Sequence, residues 1–324
     1  MTHIPLHPKL NAARLGAVFA MLVVMLTACA SPTVAPTPQP TATEQPSSPT
    51  KPLPTSLPSS LPTATGLPPT ATPVPQPTYD PATWQSLPVI PTLSANAIKI
   101  YRNGVANGTN PKAFSKIGDC ESRTTWFLYD FDQSPDHYSL GEYSELAPVI
   151  SYFHGSFAHL SLAAKPGFNA ASMFATLWAD KSCLAGEGPL ACEYRVQKSA
   201  LAFIMLGTND VNHPETFETN LRHILEYSIQ HGVLPILVTK ADNLEGDFSF
   251  NRLIAALAHE YDIPLWNYWA AAHVLPDAGL QSDLTHLTFG TTHFDDPFQL
   301  KTGWTVRNLN ALQVLNAVLK AVGQ

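Results

Sequence analysis

Residues 201–210 read LAFIMLGTND. The first six are apolar without a break, a pattern that suits a strand covered on both faces of a parallel sheet. The run stops on Gly207-Thr208-Asn209-Asp210, which can neither continue a strand nor fill a core. Ligands of open α/β sheets bind outside the carboxyl ends of the strands. A small residue followed by a side-chain amide at that spot is therefore a candidate oxyanion site. A plain strand-to-loop turn accounts for the same residues equally well.

Working outward, strand and helix patterns alternate. Residues 113–117 (AFSKI) are a short strand candidate that ends at Gly118-Asp119-Cys120. Residues 143–153 are helical in pattern, 157–164 are apolar without a clear period, and 165–169 (KPGFN) form a turn. Residues 171–178 are expected to be helical. Pro214 opens a helix with Phe217, Leu221, Ile224, Leu225 and Ser228 on one face, and Gly232 closes it. Residues 233–238 (VLPILV) are the next buried strand, with Pro235 awkward if that strand is central. Ser249 is the expected cap of a helix facing inward with Leu253, Ile254, Leu257 and Tyr261. Residues 263–266 are another short strand, and Leu309, Leu312, Leu315, Leu319 and Val322 mark a closing amphipathic helix. This alternation predicts an α/β fold: a three-layer α/β/α sandwich around a central parallel sheet.

The chain has 324 residues and a net charge of −7. Neither the acidic balance nor the absence of a basic stripe suits a nucleic-acid partner. Lys9 and Arg14 precede an apolar run over 15–26, then Leu26-Thr27-Ala28-Cys29. The run is short for a membrane span, and small residues precede the cysteine. This resembles a bacterial lipobox, in which cleavage before Cys29 frees its thiol for lipidation. A short anchor helix or an ordinary secretory signal fits the same residues. The lipobox reading makes 1–29 a signal peptide and puts the protein on the outer face of a bacterial membrane, with its domain extracellular or periplasmic. Residues 30–88, rich in Pro, Thr and Ser, cannot bury enough apolar surface to fold and read as a disordered linker. In polyproline conformation, at about 3.1 Å per residue, such a tether would reach more than about 100 Å. Residues 89–324 remain as one folded unit, long enough for a sizeable core and expected to be a monomer.

Without Cys29, Cys120, Cys183 and Cys192 remain, an odd number for an exported chain. Cys183 and Cys192 flank LAGEGPLA, whose glycines and proline favour a turn, so a disulfide is expected there. The loop-entropy estimate gives it about 2–3 kcal/mol. Cys120 is then the unpaired thiol.

The candidate chemistry is acyl transfer. Gly118-Asp119-Cys120 sets a nucleophile type just after a strand. A helix starting there would turn its amides and dipole toward residue 120. Gly167 could bring a bare N–H near a substrate oxygen, and Asn209 could add a side-chain N–H. Donors of this kind are typically worth about 3 kcal/mol each in a transition state. Asp283-Leu284-Thr285-His286 puts a carboxylate three residues before an imidazole that it could orient.

In order and placement these blocks resemble the SGNH hydrolases, the GDSL-like esterase and lipase superfamily, over the whole folded part. That family's blocks read Gly-Asp-Ser with a serine nucleophile, then a glycine, then Gly-x-Asn-Asp, then Asp-x-x-His. The resemblance implies Cys120 as nucleophile, Gly167 and Asn209 beside the amide of Cys120 as the oxyanion hole, and Asp283 and His286 as the rest of the triad. Gly167 is the loosest match. The departure is Cys120 where the family has serine. Cys120 is then an active thiolate paired with His286, or the exchange has silenced the site, or Ser122 takes over through a shifted turn.

Other residues have structural readings. His154, His159, His273 and His293 form no HExxH pattern and are expected to be solvated or hydrogen-bonded, with no metal. Asp295 and Asp296 read as a polar loop near the site. Trp266, Tyr268 and Trp269 are either a sugar platform or packing, and Asp210 fixes the loop beside Asn209. The expected function is an exported, membrane-tethered hydrolase of an ester or thioester, such as an acylated extracellular glycan, needing no cofactor. The alternative is a catalytically silent surface module that binds glycan or peptide in the same cleft.

Overall fold

The computed structural model describes residues 79–324. The apolar run over 15–26, Cys29 and most of the Pro/Thr/Ser-rich stretch lie outside the described residues. In chain order the helices and strands are α1 (Ala95–Ala106), β1 (Asn110–Gly118), α2 (Cys120–Arg123), β2 (Tyr138–Ser139), α3 (Ala147–Tyr152), α4 (Pro189–Gln197), β3 (Ser199–Met205) and α5 (Pro214–Gln230). They continue with β4 (Leu234–Val238), α6 (Ser249–Glu260), β5 (Leu265–Trp266), α7 (Tyr268–His273), β6 (Thr292–His293) and α8 (Gly303–Val322).

The central sheet has the order β1-β3-β4-β5 with every pairing parallel. Its register sets Gly118 opposite Met205, Ile204 opposite Leu237 and Val238 opposite Trp266. The carboxyl ends of all four strands therefore share one edge. Every residue of β3 is buried, as the unbroken run from Leu201 requires. The crossovers α4, α5 and α6 lie side by side: Tyr194 and Ser228 share a hydrogen bond at 2.7 Å, and Arg222 pairs with Glu260 at 2.6 Å. α8 packs on α1 and α3 to form the second helical group. The expected α/β architecture with helices flanking a central parallel sheet is the observed one.

Pro235 sits in β4 without breaking the sheet. Leu237, two residues on, donates to the Pro264 carbonyl just before β5. The nitrogen of Pro235 faces that same side, before β5 begins, so no ladder bond is lost. The helix from Pro214 buries all five expected residues, and Gly232 follows its cap with φ +71°.

Three local expectations are corrected. Residues 170–178 form two 3-10 turns, Ala170–Phe174 and Thr176–Trp178, divided by an extended Ala175. Asn169 and Ser172 cap each other reciprocally, and Asp210 holds the Ala170 amide, so the segment follows its anchors and not its apolar spacing. Before α3, Gly141–Leu146 is also a 3-10 turn, because Pro148 in the first turn of α3 has no N–H with which to extend it backward. Ser249 is the first residue of α6 and not its cap; Asp247 accepts the Ser249 N–H at 2.9 Å.

Packing also begins upstream of residue 89. Trp84 is buried in a 3-10 turn over Pro81–Ser86, against Trp269 at 4.8 Å and Phe248 at 6.0 Å. Asn267 donates to the carbonyls of Trp84 and Leu87. Among Pro, Thr and Ser, one tryptophan supplies the apolar area that composition averages away. The same contacts assign the aromatic cluster: Trp266 and Tyr268 are fully buried and Trp269 nearly so, which makes them core and not a sugar platform.

Candidate active site

The site is built on the shared strand edge. β1 ends at Gly118, where an added Cβ would lie 2.5 Å from the Met205 carbonyl. Only glycine lets the chain turn there under β3. Asp119 then caps α2 by accepting the Glu121 N–H at 3.0 Å, and Cys120 is the first helical residue. Its Sγ lies 3.6 Å from His286 Nε2. Ser122 is buried with its hydroxyl toward Gly118, so it does not share the cleft with Cys120.

His286 is held by a single carboxylate. Asp283 Oδ1 accepts the backbone N–H groups of Thr285 and His286, each at 3.0 Å, which shapes the turn. Its Oδ2 meets His286 Nδ1 at 2.7 Å, which leaves Nε2 facing the sulfur. The hydrogen bond to Asp283 raises the His286 pKa above its usual value. In return, His286 and the two backbone donors hold Asp283 down at about 2.

The oxyanion candidates come from two neighbouring loops. Ala164 bridges Gly118 alongside β1, and Lys165 donates to the Gly118 carbonyl at 3.3 Å. Gly167 follows with φ +83°, and its N–H makes no hydrogen bond among the described residues. Asn209 Nδ2 donates to the Phe168 carbonyl at 3.0 Å, which ties the Gly207 loop to the Gly167 loop and leaves one amide hydrogen uncommitted. Asp210 braces both loops, accepting from Gly207 at 3.1 Å and Ala170 at 2.9 Å.

The electrostatics of Cys120 differ from the expectation. Burial, then the carboxylates of Asp119 and Glu121, push its thiol up to about 11. α2 is only four residues long, too short for a helix dipole to offset them.

Several supporting residues carry no signal in the sequence. Glu121 accepts the Leu287 N–H at 2.9 Å and so ties α2 to the loop of His286. Arg307 is buried beneath both, donating to the Glu121 carbonyl at 3.0 Å and lying over the Phe127 ring at 4.1 Å. Trp126 and Phe289 meet at 4.9 Å with their rings tilted, both exposed, and with Thr124, Trp304, Cys120 and His286 line an apolar pocket of about 320 Å³. No local motif announces a glutamate after a nucleophile, or aromatic side chains in loops.

The four histidines weighed as metal ligands have structural partners or are solvated. His159 pairs with the buried Glu193 at 3.0 Å, His273 stacks on Trp269, His293 lies 3.9 Å from Asp295, and His154 is exposed. Asp295 packs on Gly141, beside the small β2–β6 sheet. Cys183 and Cys192 form a disulfide. Glu187 lies close to both sulfurs, but their bond leaves no thiolate for a metal.

No family model matches the chain, and no curated protein matches it. Solved structures do. One is a protein from Desulfitobacterium hafniense described as lipolytic and of the G-D-S-L family; it is 15% identical, covers 63% of this chain and 99% of its own, and has a TM-score of 0.38. A GDSL-like lipase from Bacteroides thetaiotaomicron is 16% identical over 70% of this chain and 98% of its own, with a TM-score of 0.38. A mutant acetyl esterase with acetate ion is 13% identical over 64% and 99%, with a TM-score of 0.39. No residue role is carried over from them.

Proposed function

We propose that the protein is an SGNH-type hydrolase that cleaves an ester or thioester with Cys120 as nucleophile. The observation that supports it is the relay at the strand edge: Cys120 Sγ 3.6 Å from His286 Nε2, whose Nδ1 is 2.7 Å from Asp283. His286 Nε2 takes the thiol proton as Sγ attacks the carbonyl carbon. The C–S bond forms, and the oxyanion meets the N–H groups of Cys120, Gly167 and Asn209. The imidazolium, stabilised by Asp283, then protonates the departing alcohol or thiol. The acyl group left on Cys120 is released by a water that His286 deprotonates. With the thiol up at about 11, proton transfer accompanies attack and does not precede it. The chemistry draws on no metal or organic cofactor. Export through residues 1–29 and lipid anchoring at Cys29 would present the site to acylated glycans outside the cell.

A second reading has one observation in its favour. The same raised thiol suits a silent module that binds glycan or peptide. The two readings separate on a covalent intermediate. Brief incubation with a short-chain aryl ester, acid quench and intact-mass analysis should show an acyl increment that Cys120→Ala lacks. A wild-type protein with no adduct and unconsumed ester would favour the silent module.

A further inference from the structure

A second pocket, of about 460 Å³, takes in Arg123, the last residue of α2. Arg123, Lys165 and Lys181 line it with a single carboxylate, Asp180. That is a local excess of positive charge on a chain of net charge −7. Its charges are unevenly committed. Arg123 is pinned by the carbonyls of Leu160 at 3.0 Å and Ser161 at 2.6 Å. Asp180 is engaged by the amide and hydroxyl of Ser182, at 2.9 and 2.7 Å. Lys165 and Lys181 have no ion-pair partner among the described residues. Trp178 forms an exposed aromatic wall, with the Lys165 ammonium 5.8 Å from its ring.

The pocket is lined by residues adjacent in sequence to those of the candidate active site. Arg123 lies one helical turn after Cys120, and Lys165 leads into Gly167. Cys120 and Thr124 line the apolar pocket, whereas Arg123 lines the charged one. The apolar pocket and the cationic, aromatic-walled pocket are therefore lined by neighbouring residues of one short segment, Cys120 to Thr124.

We infer that the Arg123–Lys165–Lys181 pocket binds an anionic saccharide unit of the substrate, while the acyl group lies against Trp126 and Phe289. This rests on the hydrolase reading for the placement of the ester, but the anion site itself can be tested without turnover. Ammonium groups recognise a sugar carboxylate or a sugar phosphate alike.

Calorimetric titration of the full chain carrying Cys120→Ala would use trigalacturonate, galactose 6-phosphate and neutral galactotriose. At least one anionic sugar should bind about tenfold or more tighter than the neutral one at low salt. Lys165→Ala with Lys181→Ala should remove about tenfold, the scale of two exposed ion pairs. Which anion binds identifies carboxylate or phosphate as the natural group. Equal binding of the neutral sugar, no binding of either anion, or affinities untouched by the double substitution would overturn the inference. Lysine-dependent binding without aryl-ester turnover by the wild-type protein would remove the hydrolase reading and leave the anion site standing.

Discussion

At Cys120 the usual activation of a cysteine nucleophile is missing. Long helices and neighbouring cations lower a thiol pKa; here a one-turn helix faces burial and two flanking carboxylates, and the thiol goes up. In the proposed mechanism the working titration is then that of His286, which must be neutral to accept the proton. Asp283 favours the protonated imidazole and so raises its pKa above 6.5. Hydrolysis should therefore rise with pH through a value above 6.5, with no separate thiol step below about 11. Asp283→Asn removes the partner of the imidazolium, so the acidic limb should move to lower pH while the plateau falls about 100-fold or more. A pH–rate profile of both proteins checks the sign; a limb that stays put would mean that His286 is not the base. That Cys120, His286 and Asp283 would come together was legible because each sits in a short block whose order is informative. Arg307 was not, because its contact with Glu121 spans 186 residues and no local pattern reports it.

Among the elements, legibility followed burial. β3 and α5 were readable because nearly all their apolar positions face the core, so spacing and structure coincide. Residues 170–178 were not, because Asn169 and Asp210 fix that backbone through polar anchors. One contact between elements could not be read at all. Gly104 in α1 meets Gly232 in the turn between α5 and β4 so closely that a Cβ on Gly104 would lie 1.8 Å from the Gly232 carbonyl oxygen. Both partners are backbone, so neither can rotate away. Gly104→Ala should cost about 1–3 kcal/mol by overpacking, read as a fall of about 2–4 °C in Tm per kcal/mol. Gly108→Ala is a poor control, because Gly108 has φ +99°; Ala106→Ser, at the end of the same helix, is a better one. An unchanged Tm for Gly104→Ala would show that α1 can shift away from the turn.

Across the whole molecule, parallel strands bring their carboxyl ends to one edge, and the residues proposed to act come from loops at or near that edge. The architecture was predictable from alternation alone; packing upstream of residue 89 was not, since it rests on a few side chains, Trp84 above all, among Pro, Thr and Ser. Trp84→Ala should destabilise the domain by about 3–5 kcal/mol, seen as a large loss in thermal or denaturant unfolding; a loss within about 0.5 kcal/mol would mean that the Pro81–Ser86 turn lies passively on the surface. The central claim is that Cys120 and His286 perform ester hydrolysis. Its most direct test is turnover of a short-chain aryl ester by the wild-type protein beside Cys120→Ser, Cys120→Ala and His286→Ala. The wild type should turn over, and Cys120→Ala and His286→Ala should fall to background. Turnover by Cys120→Ser alone would contradict the claim, because the scaffold would then be competent and the natural cysteine would be what silences it.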